Sequence, residues 1–368
     1  PDDGRPYRAA SIGALLGLAF LAKGPVGVVV PLLGMLAGRT ATGRPVVPGP
    51  RTAMLFLAAW TVVAGPWILA LGVRLSLGTA WGTVRSEVLE RYFAGTSHVA
   101  PPWYFLVIVP AVFAPWAGPM AVGVVRAFRQ RKDPAARTAL YAASAFVVVL
   151  VFFSLGKGKL PQYILPLAPL VALVVTWELA RELEVPRLRS LSMWLLAATL
   201  AVLGVVLAAA AVVREEPWER AAGVVGSLAF LLGTAAAVVG AVRHRPRAVY
   251  GAAAGAMAIL LLTAGAVIHP AVGEYRSTRS LVERVPELRD RSVIAVAIDL
   301  PSLTWYLDRS PEKVPVKFLA ARLERGDDPV LVIADLEIPE LPAELRPRLH
   351  ELGRAGKLRV FEVDPGSP

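Results

Sequence analysis

The sequence predicts a polytopic α-helical membrane protein of about nine spans, two of them short, followed by a small α/β soluble domain. Two observations carry this reading. Hydrophobic residues make up 55% of the 368 and charged residues only 18%, with a mean hydropathy of +0.56. That leaves too little polar surface for a soluble protein of this size. The apolar content is also uneven: it fills residues 9 to about 268 and then stops. From Ala271 onward charged residues, turn residues and short apolar runs alternate, as in a soluble domain of about 100 residues. The division is therefore a transmembrane domain over residues 1–269 and an external domain over 270–368.

The net charge of +11 is not a nucleic-acid signature. Its arginines stand in short loops between apolar runs, where they orient the chain and meet anionic lipid. There is no cysteine, so disulfide and thiol chemistry are excluded. The chain opens at Pro1-Asp2-Asp3 and enters an apolar run almost at once. We read it as lacking the N-terminal part of a longer protein.

The first apolar run, Ala9 to Ala37, is interrupted by Lys23-Gly24-Pro25. One continuous helix would exceed the roughly 20 residues needed to span and would leave a lysine near mid-bilayer, at roughly 2.5–3.5 kcal/mol. Pro25 suits the first turn of a new helix and Gly24 the turn before it. Two short helices with Lys23 at the turn follow. Further spans are expected at about 53–73, 103–125, 138–154, 160–179, 191–213, 220–242 and 248–268.

The connections alternate in charge. Residues 39–51, 126–137, 181–189 and 243–247 are basic, and the positive-inside rule makes them cytoplasmic. The Lys23 turn, the long 74–101 connection, the Gly156-Lys157-Gly158-Lys159 turn, the 214–220 connection and the C-terminal domain are then external. In that last domain strands are expected at Val293–Ile298, Val314–Phe318, Val330–Ala334 and Leu358–Val363. Helices are expected at Ser277–Leu288, Leu303–Asp308, Leu319–Arg325 and Glu340–Leu352. No Gly-x-Gly-x-x-Gly occurs there, so no nucleotide site is read.

The external face collects cations where the topology rule expects few: Lys23, Arg91, Lys157 and Lys159 all lie at or near helix ends. One reason is a bound anion such as the phosphate of a lipid carrier, which suits lysine as a point charge and arginine as a fork. The bland reading is snorkelling to the headgroups. Gly156-Lys157-Gly158-Lys159 is not a nucleotide P-loop, because no Ser or Thr follows and the context is membrane. Tyr163 suits either a hydrogen bond to phosphate or sugar, or an interfacial anchor. Glu87, Glu90 and His98 are the polar candidates of the long connection, with salt bridges to Arg85 or Arg91 as the plain alternative for the two glutamates.

Three stretches together carry a resemblance: Leu18–Val26 around Lys23-Gly24-Pro25, Glu87–Phe93 leading to His98–Tyr104 and Pro115-Trp116, and Phe152–Pro166 with Gly-Lys-Gly-Lys-Leu-Pro-Gln-Tyr. In order and spacing they resemble the bacterial branch of the protein mannosyltransferase superfamily, which includes the lipid A aminoarabinose transferases. The resemblance is close over residues 9 to about 180 and extends beyond them only in layout. It implies a C-type membrane glycosyltransferase that moves a sugar from a polyprenyl-phosphate donor to a lipid, glycan or protein acceptor at the external face of a bacterial inner membrane. Its implied partners are the lipid-linked sugar, the acceptor and the bilayer, with no nucleic acid. It implies that Lys23 and Arg91 face the lipid phosphate and that Lys157, Lys159 and Tyr163 line the same cavity, with Glu87 and His98 in the donor loop.

Two departures qualify the carry-over. Where aminoarabinose transferases have a metal-associated histidine after the loop glutamate, this chain has Val88, so no metal ligand is assigned and a divalent metal is left open. The family's catalytic aspartate belongs to an earlier external loop, so the resemblance places it N-terminal to residue 1. The competing reading is a transporter or flippase for a lipid-linked anion using the same cations. Inverted repeats and paired broken helices would mark it, and the sequence shows only one candidate break, at Gly24-Pro25.

Overall fold

The computed structural model describes residues 6–74, 78, 79, 82, 85, 98–184, 190–214, 216–324 and 328–364, and for 274–276 the backbone only. The chain divides into two compact units, Pro1–Ala208 with Ser227–Ala258, and Ala209–Gly226 with Ile259–Pro368. Glu87, Glu90 and Arg91 lie outside the described residues.

The first apolar run forms two helices, α1 (Pro6–Lys23) and α2 (Pro25–Ala41), hinged at Gly24 with φ 62°. That left-handed backbone favours glycine. Gly27 lets the second helix fold back closely: a Cβ there would stand 2.2 Å from the Ala19 carbonyl oxygen. Next come α3 (Pro50–Arg74), α4 (Tyr104–Val112) and α5 (Ala117–Arg129). The span expected over 103–125 is not straight, because α4 and α5 meet at a 117° bend. Pro115 at the break has no amide to donate and cannot continue a helix.

After the bend, α6 (Arg137–Leu155) leads to the lysine turn, a 3-10 segment Pro161–Leu167 and α7 (Ala168–Glu184). The remaining long helices are α8 (Leu191–Val213), α9 (Pro217–Val242) and α10 (Pro246–Thr263). Six helices among the described residues are long and apolar enough to cross a membrane, or seven if the bent pair is one span. The two short helices α1 and α2 stand outside that count.

Glycines set the helix packing, as is common where lipid removes the hydrophobic drive between helices. A Cβ on Gly13 would meet the Phe56 carbonyl oxygen at 2.2 Å, and one on Gly17 the Val63 side chain at 2.8 Å. Rising positions on α1 thus meet rising positions on α3, so these two run parallel. A Cβ on Gly34 would lie 3.5 Å from Ala145, whereas one on Gly38 would lie 2.5 Å from the Tyr141 ring. Moving up α2 means moving down α6, so this pair is antiparallel.

The second unit holds a five-stranded mixed sheet of order β2-β1-β3-β5-β4, built from β1 (Val293–Val296), β2 (Glu312–Val314), β3 (Val330–Ala334), β4 (Leu349–Ala355) and β5 (Leu358–Val363). β1 pairs parallel with β2 and β3, while β5 pairs antiparallel with β3 and β4. Alternate side chains feed two cores. Val293, Val330, Val332 and Val360 face one, with Leu281, Leu288 and Leu303 from covering helices; Ile294, Leu331, Ile333 and Phe361 face the other, with Leu319.

Three sequence expectations are corrected here. The strand expected over Val314–Phe318 ends at Val314, and a helix runs over Val316–Leu323, because Pro315 has no amide for the ladder and seats instead at the helix N-cap. The helix expected over Glu340–Leu352 is two short 3-10 turns and then β4. Gly356 at φ 57° closes a two-residue turn between Ala355 and Leu358, so the flanking residues pair as a hairpin. The expected helix Ser277–Leu288 is two pieces, Arg279–Arg284 and Glu287–Asp290, parted at Pro286.

Candidate lipid-phosphate site

The helix directions decide which candidate residues can meet. Gly34 of α2 lies level with Ala145 and Val149 of α6, and Gly38 with Tyr141. Continued at about 1.5 Å per residue, that register brings the Lys23-Gly24 turn level with Leu155-Gly156. The two lysine turns therefore occupy the same end of adjacent helices. The parallel packing of α1 on α3, reinforced by Phe20 edge-on to Trp60 at 5.5 Å and Trp67 at 6.2 Å, puts Arg74 at that end as well.

The segment before α4 is bonded directly to the second of these turns. Val99 pairs antiparallel with Gly158. The Ala100 amide donates to the Lys157 carbonyl at 3.3 Å and the Lys159 amide to the His98 carbonyl at 2.9 Å. His98 adopts a left-handed backbone, φ 53°, and is exposed. One end of the first unit thus gathers Lys23, His98, Lys157, Lys159 and Tyr163.

Within that cluster the cations differ. Lys23 and Lys157 are exposed, and among the described residues neither has a carboxylate partner. Lys159 is only 4% exposed, and its ammonium donates to the Ala100 carbonyl at 2.9 Å and to the Gly156 carbonyl. Burial lowers its pKa from the ordinary lysine value. Tyr163 is half-buried and leans on the Phe153 ring, centroids 6.0 Å apart. No group of three or more His, Cys, Asp or Glu side chains placed to hold a metal ion occurs among the described residues.

The opposite end holds a cluster that the sequence reading passed over. Glu178 and Glu182 lie on one face of α7, and both are buried, at 0% and 2% exposure. Arg126 at the end of α5 approaches Glu178 at 2.6 Å and Glu182 at 3.8 Å, and Ser192 donates to Glu178 at 2.5 Å. Two acids four residues apart at the end of an apolar run are a legible signal, because they share one helix face and can pair with one cation.

The similarities to known proteins agree with these motifs. No protein-family model matches the chain. The undecaprenyl phosphate-alpha-4-amino-4-deoxy-L-arabinose arabinosyl transferase of Photorhabdus laumondii is 31% identical over 169 residues, 44% of this chain and 29% of that protein. The protein of the same name from Enterobacter sp. is 28% identical over 189 residues, 50% of this chain and 33% of that one. The one from Yersinia enterocolitica is 30% identical over 173 residues, 45% and 30%. The matched stretch is thus about a third of each relative's length. Crystal structures of ArnT from Cupriavidus metallidurans, bound to undecaprenyl phosphate and in the apo state, align with TM-scores of 0.66 and 0.70 at 20% and 21% identity, covering 98% of this chain and 70% of that one. The chain is similar in sequence to the aminoarabinose transferases and shares the fold of ArnT.

Proposed function

We propose that this chain carries the donor-phosphate side of a membrane glycosyltransferase, which moves a pentosyl or hexosyl group from a polyprenyl-phosphate donor to a lipid, glycan or protein acceptor. One observation carries the reading. Residues far apart in sequence, Lys23 on one side and Lys157 on the other, are drawn to one end of the first unit, and the segment His98–Ala100 is hydrogen-bonded to the second of them. Cations so gathered, with no carboxylate beside Lys23 or Lys157 among the described residues, suit a phosphate that gains charge as the sugar departs. Lys23, Arg91, Lys157, Lys159 and Tyr163 are the proposed donor-phosphate environment, with Glu87 and His98 in the donor connection. The relatives' names favour an aminoarabinose unit as the group transferred.

In this reading α1 and α2 are short spans that complete nine, in a bacterial inner membrane. The lysine end is external, and so is the α/β domain over 270–368. The opposite end carries Arg39, Arg44, Arg51 and Arg126 through Arg137, the basic loops expected in the cytoplasm. A carrier for a lipid-linked anion would use the same cations, but the similarity to named transferases favours an enzyme.

The test is transfer from a radiolabelled undecaprenyl-phosphate sugar by the membrane-embedded protein. Lys23→Ala should raise the donor KM about ten- to hundredfold, the value of a hydrogen bond to a charged group, roughly 1.5–3 kcal/mol. Unchanged donor kinetics would remove the phosphate role.

A further inference from the structure

We propose that Lys159 is a positioning residue: it ties the segment His98–Ala100 to the turn Gly156–Gly158 and so fixes where Lys157 stands. This rests on the reading of this end as the donor site and assigns Lys159 its role there. The two backbone bonds that flank the Val99–Gly158 bridge are a very short ladder, and such an isolated pair is marginal in water. The Lys159 ammonium bonds the same two segments from the side chain, Ala100 on one and Gly156 on the other. Charge makes these donors strong, and burial keeps water from competing for them. An ammonium has three N–H groups, so only one remains for anything else. Lys157 is the converse: its carbonyl is held by Ala100 while its side chain is exposed. His98–Ala100 also ends the connection whose sequence contains Arg91, so the tie anchors that connection where it meets α4.

The chain has no cysteine, which gives a direct test in the native membrane protein. Val99→Cys with Gly158→Cys places the pair at a non-hydrogen-bonded position, with Cα atoms about 4.5 Å apart, within disulfide reach. With Lys159 present the pair should oxidise readily. Adding Lys159→Met should slow oxidation by about tenfold or more, the loss of at least one charged hydrogen bond, and Lys159→Arg should largely restore it. Equal rates with Lys159 and with Met, or no restoration by Arg, would overturn the proposal.

A second readout separates positioning from direct contact. Lys159→Met alone should weaken binding of undecaprenyl phosphate about tenfold, and the oxidised Val99→Cys/Gly158→Cys pair should restore it until reduced. A covalent bridge cannot replace a charge. If the bridge forms and binding stays weak, Lys159 acts on the phosphate itself and the proposal fails. Should the unmodified protein bind no undecaprenyl phosphate, the donor reading falls, while the oxidation rates still decide the tie.

Discussion

The two ends of the first helical unit treat their charges in opposite ways. At one end Arg126 is matched to two buried carboxylates, Glu178 and Glu182, and Ser192 completes the set. At the other, Lys23 and Lys157 stand exposed without a carboxylate among the described residues, and buried Lys159 bonds backbone carbonyls instead. Internal pairing spends the cation's charge on the protein's own carboxylates and ties helices together; leaving cations unmatched preserves their field for something that arrives from outside. The contrast separates a structural cluster from a candidate binding cluster, both built on cationic side chains.

Breaking the matched end should have the largest effect on folding. Arg126→Ala strands two buried carboxylates and should cost about 3–5 kcal/mol, measured by thermal or denaturant unfolding in detergent. A loss under about 1 kcal/mol would show the cluster to be well hydrated and the contrast between ends overstated.

The helix packing that places the lysine end comes next. Gly13→Ala would put a methyl group against the Phe56 carbonyl and should cost roughly 1–3 kcal/mol through overpacking. Because α1 carries Lys23, donor binding should fall along with stability in the same variant. A stability loss with donor affinity intact would detach the position of Lys23 from the packing of α1 on α3.

The unmatched end should be nearly silent in stability. Lys157→Ala should change unfolding free energy by no more than about 0.5 kcal/mol, as for an exposed side chain without a partner, while donor affinity falls. A large loss of stability would make Lys157 another packing residue and erase the comparison.

Much of this was legible in the sequence because apolar length and loop charge act locally. The Lys23-Gly24-Pro25 hinge, the lysine turn and the span Leu191–Val213 could be read from those rules, and Val330–Ala334 and Leu358–Val363 from β-branched runs. Tertiary effects were not legible. The bend between Val112 and Ala117 sits inside a stretch apolar enough to read as one span, and Pro115 was its local sign. β4, Leu349–Ala355, is made by its hairpin partner, and Gly356-Lys357 was the available sign. At the site, charge pattern singled out Lys157 and Lys159 together. Only the fold shows that one is buried on carbonyls and the other exposed, since neighbours supplied 59 residues away, at Ala100, decide it.

The central claim is that cations from separate helices are gathered to hold a lipid phosphate. The most direct measurement is the affinity of the detergent-solubilised protein for undecaprenyl phosphate, with and without Lys23→Ala plus Lys157→Ala, alongside the unfolding midpoint of each. The account predicts that the double variant binds at least about tenfold more weakly, as loss of a charged hydrogen bond would give, and unfolds at nearly the same point. Equal affinity in a protein that unfolds identically would contradict it.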